Sequence, residues 1–153
     1  MRVFIVLMFF VFLSVSSAWA VSCGTNMEDN GNGTVTDSNT GLTWKQCLQG
    51  YSGSSCGTAG TTTTFTWSDA LALDDGTWRV PNIKELYSIV DEGQNAPAIN
   101  SICFPGTPAS SVAWSSSPYS ADSTKSWLIQ FATGISGFIL QSNTYTVRLV
   151  KGP

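Results

Sequence analysis

Polar and apolar residues alternate in several short runs of the chain, a pattern typical of β-strands with one buried face. Thr34–Asp37 and residues 42–46 are two such runs, and the sequence SNTG between them ends at Gly41. They predict a hairpin in which Leu42 and Trp44 face the core.

Three further apolar runs, SWLIQF, ISGFILQ and YTVRLVK, follow one another near the end of the chain and predict an antiparallel meander that closes the domain. The preceding segment, residues 95–118, has four prolines and is predicted to be irregular. Aromatic residues alternate along the final strands, and we expect about half of them in the core: Trp127, Phe131, Phe138 and Tyr145.

Two segments change to a helical period. In SDALALDD we expect a short helix with Ser68 as its N-cap and Gly76 at its end. In PNIKELYSIVDEG, Asn82 and Glu85 have the spacing of a capping box, and Gly93 ends the pattern. The apolar face of this second helix is formed by Ile83, Leu86, Tyr87 and Val90. Two short helices with antiparallel strands predict an α+β domain.

The first twenty residues have the features of a secretory signal peptide. Arg2 supplies a positive charge, residues 3–13 are apolar, and Ala18 and Ala20 form a small-x-small cleavage sequence. The apolar run is shorter than the roughly 20 residues of a membrane-spanning helix, which argues against a retained anchor. The small-x-small sequence places the expected cleavage after Ala20. Residues 21–153 then form a single exported domain in the periplasm, at the cell surface or outside the cell.

The four cysteines predict two disulfides, since even cysteine numbers are usual in exported chains. Cys47 and Cys56 bracket the polar loop LQGYSGSS and are expected to pair, which leaves Cys23 for Cys103. This is one of the three pairings that four cysteines allow. An alternative takes AVSC as a lipid-attachment sequence with Cys23 acylated. It would leave an odd cysteine, and Ala20 stands where Leu is usual, so we favour the disulfide.

Charge and composition exclude several classes of function. After cleavage the chain has six Lys and Arg residues, ten Asp and Glu residues and a net charge of −4, without a basic cluster for nucleic acid. It has no histidine, which removes the usual general base, zinc ligand and partner of a nucleophilic serine. We therefore expect no catalytic residues and no cofactor. A glycosidase with paired carboxylates remains the enzymatic alternative.

The two arginines of the mature chain, Arg79 and Arg148, both lie between apolar residues. We expect each to form a partly buried ion pair that fixes the sheet against the helix, with Glu85, Asp91 or Asp37 as its partner.

Candidate ligand-binding residues lie in the second half of the chain. The sequence WSSSPY combines amphipathic rings with hydroxyl groups, which suits carbohydrate faces. Trp114 is better explained as a core residue, and Tyr119 is the better surface candidate. The candidate site consists of Ser116, Ser117, Tyr119, Asn143 and Tyr145.

Six motifs occur in an order that resembles one known family: NGTVTDSNTGLTWKQC, FTWSDALAL, WRVPNIKELYSIVD, FPGTP, WSSSPY and VRLVK. This is the Lcl C-terminal domain family, bacterial exported domains named after a collagen-like adhesin of Legionella. The resemblance implies a C-type-lectin-like fold. In the adhesin the domain follows a collagen-like stalk, forms trimers and binds sulfated glycosaminoglycans. The acidic charge and the lack of a Gly-X-Y repeat argue against carrying over the sulfated ligand and the homotrimer.

The stretch DNGNGTVTDSNTGLTW, residues 29–44, raises the question of a calcium site between Asp29 and Asp37. Within the resemblance it matches the family's N-terminal hairpin, so Asn30-Gly31 and Asn32-Gly33 are turn residues. An EF-hand loop also needs a glutamate at its twelfth position, which here is Thr40. We favour the turn and expect no metal.

The sequence thus predicts an exported, non-enzymatic binding or adhesion module. Its partner would be a glycan, or a protein of the envelope or of a host surface, recognised through loops and aromatic residues of the second half. A structural accessory subunit of the envelope is the alternative, and a carboxylate-dependent enzyme acting on glycans is the third hypothesis.

Overall fold

The computed structural model describes residues 21–60 and 63–152, so the predicted signal peptide lies outside the described residues. The described residues form mostly β-structure with two short helices and two disulfides. Within this part of the chain, no helix has both the length and the apolar character needed to cross a membrane.

Strands and helices follow one another in this order: β1 (Val21–Gly24), β2 (Met27–Asp29), β3 (Thr34–Asp37), β4 (Thr43–Lys45), β5 (Tyr51–Ser52), β6 (Thr58–Ala59), α1 (Trp67–Leu71), α2 (Ile83–Tyr87), β7 (Val112–Pro118), β8 (Lys125–Gln130), β9 (Ile135–Leu140) and β10 (Val150–Lys151). A five-stranded sheet has the order β1-β2-β3-β4-β10, β5 pairs with β6, and a three-stranded sheet has the order β7-β8-β9. All of these pairs are antiparallel.

The predicted first hairpin is confirmed as β3 and β4, in which Val35 lies opposite Trp44. Leu42 and Trp44 are buried, as the alternation predicts. Gly41 adopts a positive φ of 72° in the connecting turn.

The predicted meander is wrong in its third strand. SWLIQF and ISGFILQ pair as β8 and β9, but the third strand of that sheet is β7, from a segment predicted to be irregular. The last apolar run instead leads to β10, where Val150 lies opposite Trp44 in the larger sheet. Pro118 is tolerated because it is the last residue of its strand.

Both helices are shorter than predicted. Thr66 is the N-cap of α1, so the prediction of Ser68 as the cap and Gly76 as the end is wrong. The capping box of α2 is confirmed, with Asn82 accepting from the backbone of Glu85 and Glu85 accepting from the backbone of Asn82. This helix ends at Tyr87 rather than Gly93. The amides of Ser88 and Val90 there bond to carbonyls three residues back, which tightens the last turn: Ser88 to Glu85 and Val90 to Tyr87.

Two hydrophobic clusters cover the two faces of the three-stranded sheet. Ile129 packs in a cluster with Leu86 of α2, whereas its neighbour Leu128 packs with Trp114 and Ala70 of α1. Neighbouring residues of a strand point to opposite faces, so the sheet lies between the two helices. Trp44 and Trp114 are buried, as predicted. Of the four alternating aromatic residues, of which about half were expected in the core, Phe131 alone is fully buried, whereas Trp127 and Tyr145 are partly buried and Phe138 is exposed.

Both predicted disulfides are confirmed, each with a Cα–Cα distance of 5.2 Å. The bond between Cys23 and Cys103 fixes the first strand to the segment before β7. A sulfur in this bond is not free for acylation. The bond between Cys47 and Cys56 closes the short loop after β4.

Candidate functional site

A polar cleft of about 640 Å³ opens between the β2–β3 turn and the loop closed by Cys47 and Cys56. Its lining residues come from three short segments: Asp29 with residues 31–33, residues 45–49, and residues 51–54. Turns and loops supply most of this lining. None of its described residues belongs to either core cluster, although Leu48 and Gln46 are themselves buried.

The β2–β3 turn forms one wall of the cleft, which we call the turn wall. Hydrogen bonds fix it to Gln46, the residue that follows β4. One carboxylate oxygen of Asp29 accepts from the amide of Gly31 (2.8 Å), and the other accepts from Nε2 of Gln46 (3.1 Å). The amide of Gln46 donates to the carbonyl of Gly33 (2.9 Å). Gly31 and Gly33 have φ values of 69° and 80°, which confirms that they are turn residues.

The carboxylates of the stretch that raised the question of a calcium site accept hydrogen bonds within turns. Besides Asp29, Asp37 accepts from the amide of Asn39 (2.9 Å) and from the hydroxyl of Thr40 (2.7 Å). Between residues 21 and 152, leaving aside 61 and 62, no group of three or more His, Cys, Asp or Glu side chains could hold a metal ion.

Arg148 holds the segment under the cleft. Its guanidinium is fully buried and donates to the carbonyls of Lys45 (3.0 Å) and Gln46, and to the hydroxyl of Thr107 (2.8 Å). The guanidinium carbon lies 4.7 Å from the ring centroid of Phe104. The ion pair expected for Arg148 is therefore wrong, because its partners are oxygens at the end of β4. Burial lowers the pKa of Arg148 to about 9.

Several polar groups of the cleft are free to bind a ligand. Asn32 accepts from Thr34 with its amide oxygen (2.6 Å), which leaves its NH₂ group unused among the described residues. The side-chain amide of Gln49 and the hydroxyl of Tyr51 also make no hydrogen bond within the described part of the chain. The lining therefore offers amide donors and acceptors, a hydroxyl group and an aromatic ring.

The charges of the cleft nearly balance. Asp29 and Lys45 are the charged residues of its lining. The ammonium of Lys45 lies 4.2 Å from the ring centroid of Trp78, a cation–π distance. With one carboxylate in the lining, the cleft lacks the carboxylate pair of a glycosidase.

The profile of the Lcl C-terminal domain matches residues 33–151. The chain belongs to the Lcl C-terminal domain family. The matched region begins at the turn wall of the cleft and includes the short disulfide loop and Arg148. No curated protein matches the chain.

The candidate residues from the second half of this Lcl domain lie in separate places. Tyr119 stacks on Phe138, with 3.9 Å between the ring centroids, and its ring meets the edge of Trp127 at 5.5 Å. The amide of Ser116 donates to the carbonyl of Pro81, and the hydroxyl of Ser117 accepts from the amide at the start of α2. The two serines therefore help to hold that helix.

Tyr145 lies on the opposite face of the three-stranded sheet from Tyr119, because it packs edge-on against Trp114 at 5.2 Å. Asn143 forms part of the turn after β9, where its amide donates to the carbonyl of Leu140 (3.1 Å). These residues do not form one site with Tyr119. Ligand binding by any of them stays a prediction.

Arg79 forms the ion pair that its position predicts. Its guanidinium donates to both carboxylate oxygens of Glu85, at 2.7 Å and 2.8 Å. Burial acts to raise the pKa of Glu85. The hydrogen bonds from Arg79 and from the amide of Asn82, together with the charge of Arg79, outweigh it, so the pKa lies below its ordinary value of 4.5.

Proposed function

We propose that the chain is an exported, non-enzymatic adhesion domain that binds a neutral glycan in the polar cleft. The observation that carries this proposal is the set of free amide and hydroxyl groups on Asn32, Gln49 and Tyr51, held around a volume of about 640 Å³. Such groups match the alternating donors and acceptors of sugar hydroxyls, and the ring of Tyr51 offers an apolar face for a sugar ring.

The walls of the cleft are organised without a ligand. The disulfide between Cys47 and Cys56 closes one wall, and Arg148 fixes the carbonyls of residues 45 and 46 beneath it. A ligand therefore binds without having to order these segments, which reduces the entropy lost on binding.

The charge of the cleft favours a neutral ligand over a sulfated one. Lys45 is the one cationic residue among the described residues of the lining, its ammonium lies against Trp78, and a polyanion needs several clustered cations. The single carboxylate supports binding without hydrolysis. The fold we propose is C-type-lectin-like, and the location is the periplasm or the cell surface, which the two disulfides and the family membership support.

A glycan array probed with residues 21–153, followed by calorimetry on the sugars that bind, tests this function. We expect Tyr51→Ala and Gln49→Ala each to weaken binding by about tenfold or more, because each removes a direct contact. Tyr119→Ala is the matched control, since this ring lies in the aromatic cluster with Phe138 and not in the cleft. Thermal unfolding of each variant shows whether its fold is intact.

Two outcomes would reject the cleft. If no sugar on the array binds, the glycan proposal fails. If Tyr119→Ala abolishes binding while Tyr51→Ala does not, the site lies among the second-half residues predicted from sequence.

A structural accessory subunit of the envelope remains the second candidate function. The observation that favours it is the exposure of apolar side chains on β9, where Ile135 is 60%, Phe138 44% and Leu140 46% exposed. Recovery of one defined envelope protein crosslinked to β9 in intact cells, together with a negative glycan array, would favour this candidate.

A further inference from the structure

The strand β9 is an open edge of the three-stranded sheet. It pairs with β8 on one side, and no other described strand pairs with its second side. Its sequence, ISGFIL, has no charged residue and no proline. Soluble proteins usually protect such edges with charges, prolines or bulges, because free backbone groups accept another strand. The absence of these features from β9 indicates a strand that pairs with a partner.

The register of β8 and β9 shows which backbone groups are free. The amide of Gln141 donates to the carbonyl of Thr124 (2.9 Å), just beyond the pair formed by Leu140 and Lys125. Hydrogen-bonded pairs alternate along an antiparallel ladder, so the amides and carbonyls of Ser136 and Phe138 point away from β8. The amide of Leu140 points in the same direction.

We propose that β9 pairs antiparallel with β9 of a second copy of this chain, with the two-fold axis at Phe138. The two three-stranded sheets then form one continuous six-stranded sheet. In this register Phe138 lies opposite its counterpart, and Leu140 of each copy lies opposite Ser136 of the other. The amide and carbonyl of Phe138 then pair across the axis, and the carbonyl of Ser136 accepts from the amide of Leu140 of the other copy. The amide of Ser136 meets the Leu140 carbonyl, which accepts from Asn143 as well.

Shape favours a second copy over an unrelated peptide. Ser136 lines a shallow groove of about 290 Å³ together with Ile83, Lys84 and Tyr87 of α2. Directly opposed residues of an antiparallel pair point to the same face, so Leu140 of the second copy projects into this groove, and symmetry fills both grooves. On the other face, Ile139 lies opposite Gly137, which has no side chain to obstruct it.

Charge also permits this contact. The mature chain has a net charge of −4, which opposes association of two copies in general. The strand itself carries no charge, and Lys125, whose ammonium lies 5.9 Å from the ring centroid of Phe138, is paired with Asp122 at 3.1 Å. Pairing along one six-residue edge buries less than the roughly 1,200 Å² of a standard interface, so we expect a weak dimer with a dissociation constant on the order of 10 to 100 µM.

Sedimentation velocity of residues 21–153, from about 1 µM to about 1 mM, tests this proposal. We expect a reversible change from monomer to dimer. Leu140→Lys should remain monomeric throughout the range, because it replaces an apolar contact with a positive charge in a groove that Lys84 also lines. Ile102→Lys is the matched control, since Ile102 is 75% exposed in the loop before Cys103, and it should dimerise like the wild type. Circular dichroism shows whether both variants are folded.

Cysteine crosslinking tests the register independently. Under mild oxidation, Phe138→Cys should give a covalent dimer, and Ile102→Cys should stay monomeric. A wild-type chain that stays monomeric at about 1 mM, a trimer, or a dimer that Leu140→Lys leaves intact would overturn the proposal. Tyr51→Ala should not change the dimer, so failure of the glycan proposal and failure of this one are measured separately.

Discussion

The polar cleft and the β9 edge present opposite kinds of surface on the same domain. In the cleft, the backbone amides of Gln46 and Gln49 bond within the chain, and the free groups belong to side chains. On β9 the large exposed side chains, those of Ile135, Phe138 and Leu140, are apolar, and the backbone groups of Ser136 and Phe138 have no partner among the described strands. The first surface can distinguish ligands by the positions of their hydroxyl groups. In the dimer we propose, the second would accept a strand and distinguish partners by side-chain shape.

The two surfaces also differ in what holds them in place. A disulfide and a buried arginine fix the walls of the cleft, whereas β9 is held by one neighbouring strand. Substitutions that remove this disulfide or this arginine should therefore weaken glycan binding and leave self-association through β9 unchanged.

The largest effect is expected from removal of the long disulfide. Replacing Cys23 and Cys103 with serine releases a constraint across 80 residues of the unfolded chain and should lower the free energy of unfolding by about 4 kcal/mol. Because the bond joins the first strand to the main core, both surfaces should lose stability together. Urea denaturation followed by tryptophan fluorescence measures the change. An effect smaller than that of the short disulfide would contradict the expectation.

Removal of the short disulfide should separate the two surfaces. Replacing Cys47 and Cys56 with serine should lower the free energy of unfolding by about 2 to 3 kcal/mol, since the closed loop spans 9 residues. Glycan binding should be lost because one wall of the cleft is released, while sedimentation still shows the dimer. Unchanged glycan affinity in this variant would mean that the ligand does not contact the loop.

Features fixed by nearby residues could be predicted from the sequence. The capping box of Asn82 and Glu85 depends on two residues three positions apart, and the pairing of Cys47 with Cys56 depends on a short Gly- and Ser-rich loop. The first hairpin is equally local. In each of these features the two interacting residues lie close together in the sequence, so a short stretch is enough to identify both.

Features that depend on distant partners could not be predicted in the same way. Alternation identified the last apolar run as a strand, but it carries no information on which strand will pair with Val150. Arg148 was expected to pair with a carboxylate. Its guanidinium instead donates to backbone carbonyls that lie about 100 residues earlier in the sequence. The cleft was missed because its lining has the composition of ordinary loops. The one available signal was Tyr51 within a disulfide-closed loop near an Asn-Gly turn.

The two arginines of the domain offer a matched pair of substitutions. Arg148→Met leaves buried carbonyls and the hydroxyl of Thr107 without donors, and should lower the free energy of unfolding by about 2 kcal/mol. Arg79→Met breaks a partly exposed ion pair and should lower it by no more than about 1 kcal/mol. Denaturant titration compares the two. Glycan binding should weaken in Arg148→Met only, because Arg148 holds the carbonyls of the lining residues Lys45 and Gln46, whereas Arg79 bonds to Glu85 outside the cleft.

Acidification should have the smallest effect on the free energy of unfolding. The groups involved lie near β9 and the helix α2. The pKa of Glu85 in the folded chain lies below its ordinary value of 4.5, so its contribution to stability is fully present above that pH and is lost as the pH falls through the folded value. Asp122, between β7 and β8, behaves in the same way. Hydrogen bonds from Thr124 and from Lys125 lower its pKa to about 2.

Glu85→Gln separates these two contributions. Glutamine keeps an oxygen that can accept from Arg79 but does not titrate, so the loss of stability just below pH 4.5 should become shallower, while the part due to Asp122 persists toward pH 2. Thermal unfolding at closely spaced pH values, at low protein concentration where the chain is monomeric, measures both slopes. Since Ile83 and Tyr87 of the same helix line the groove beside β9, dimerisation should weaken with acid in the wild type before glycan binding does. If the dimer keeps its strength over the pH range in which Glu85 becomes protonated, Glu85 does not maintain this groove.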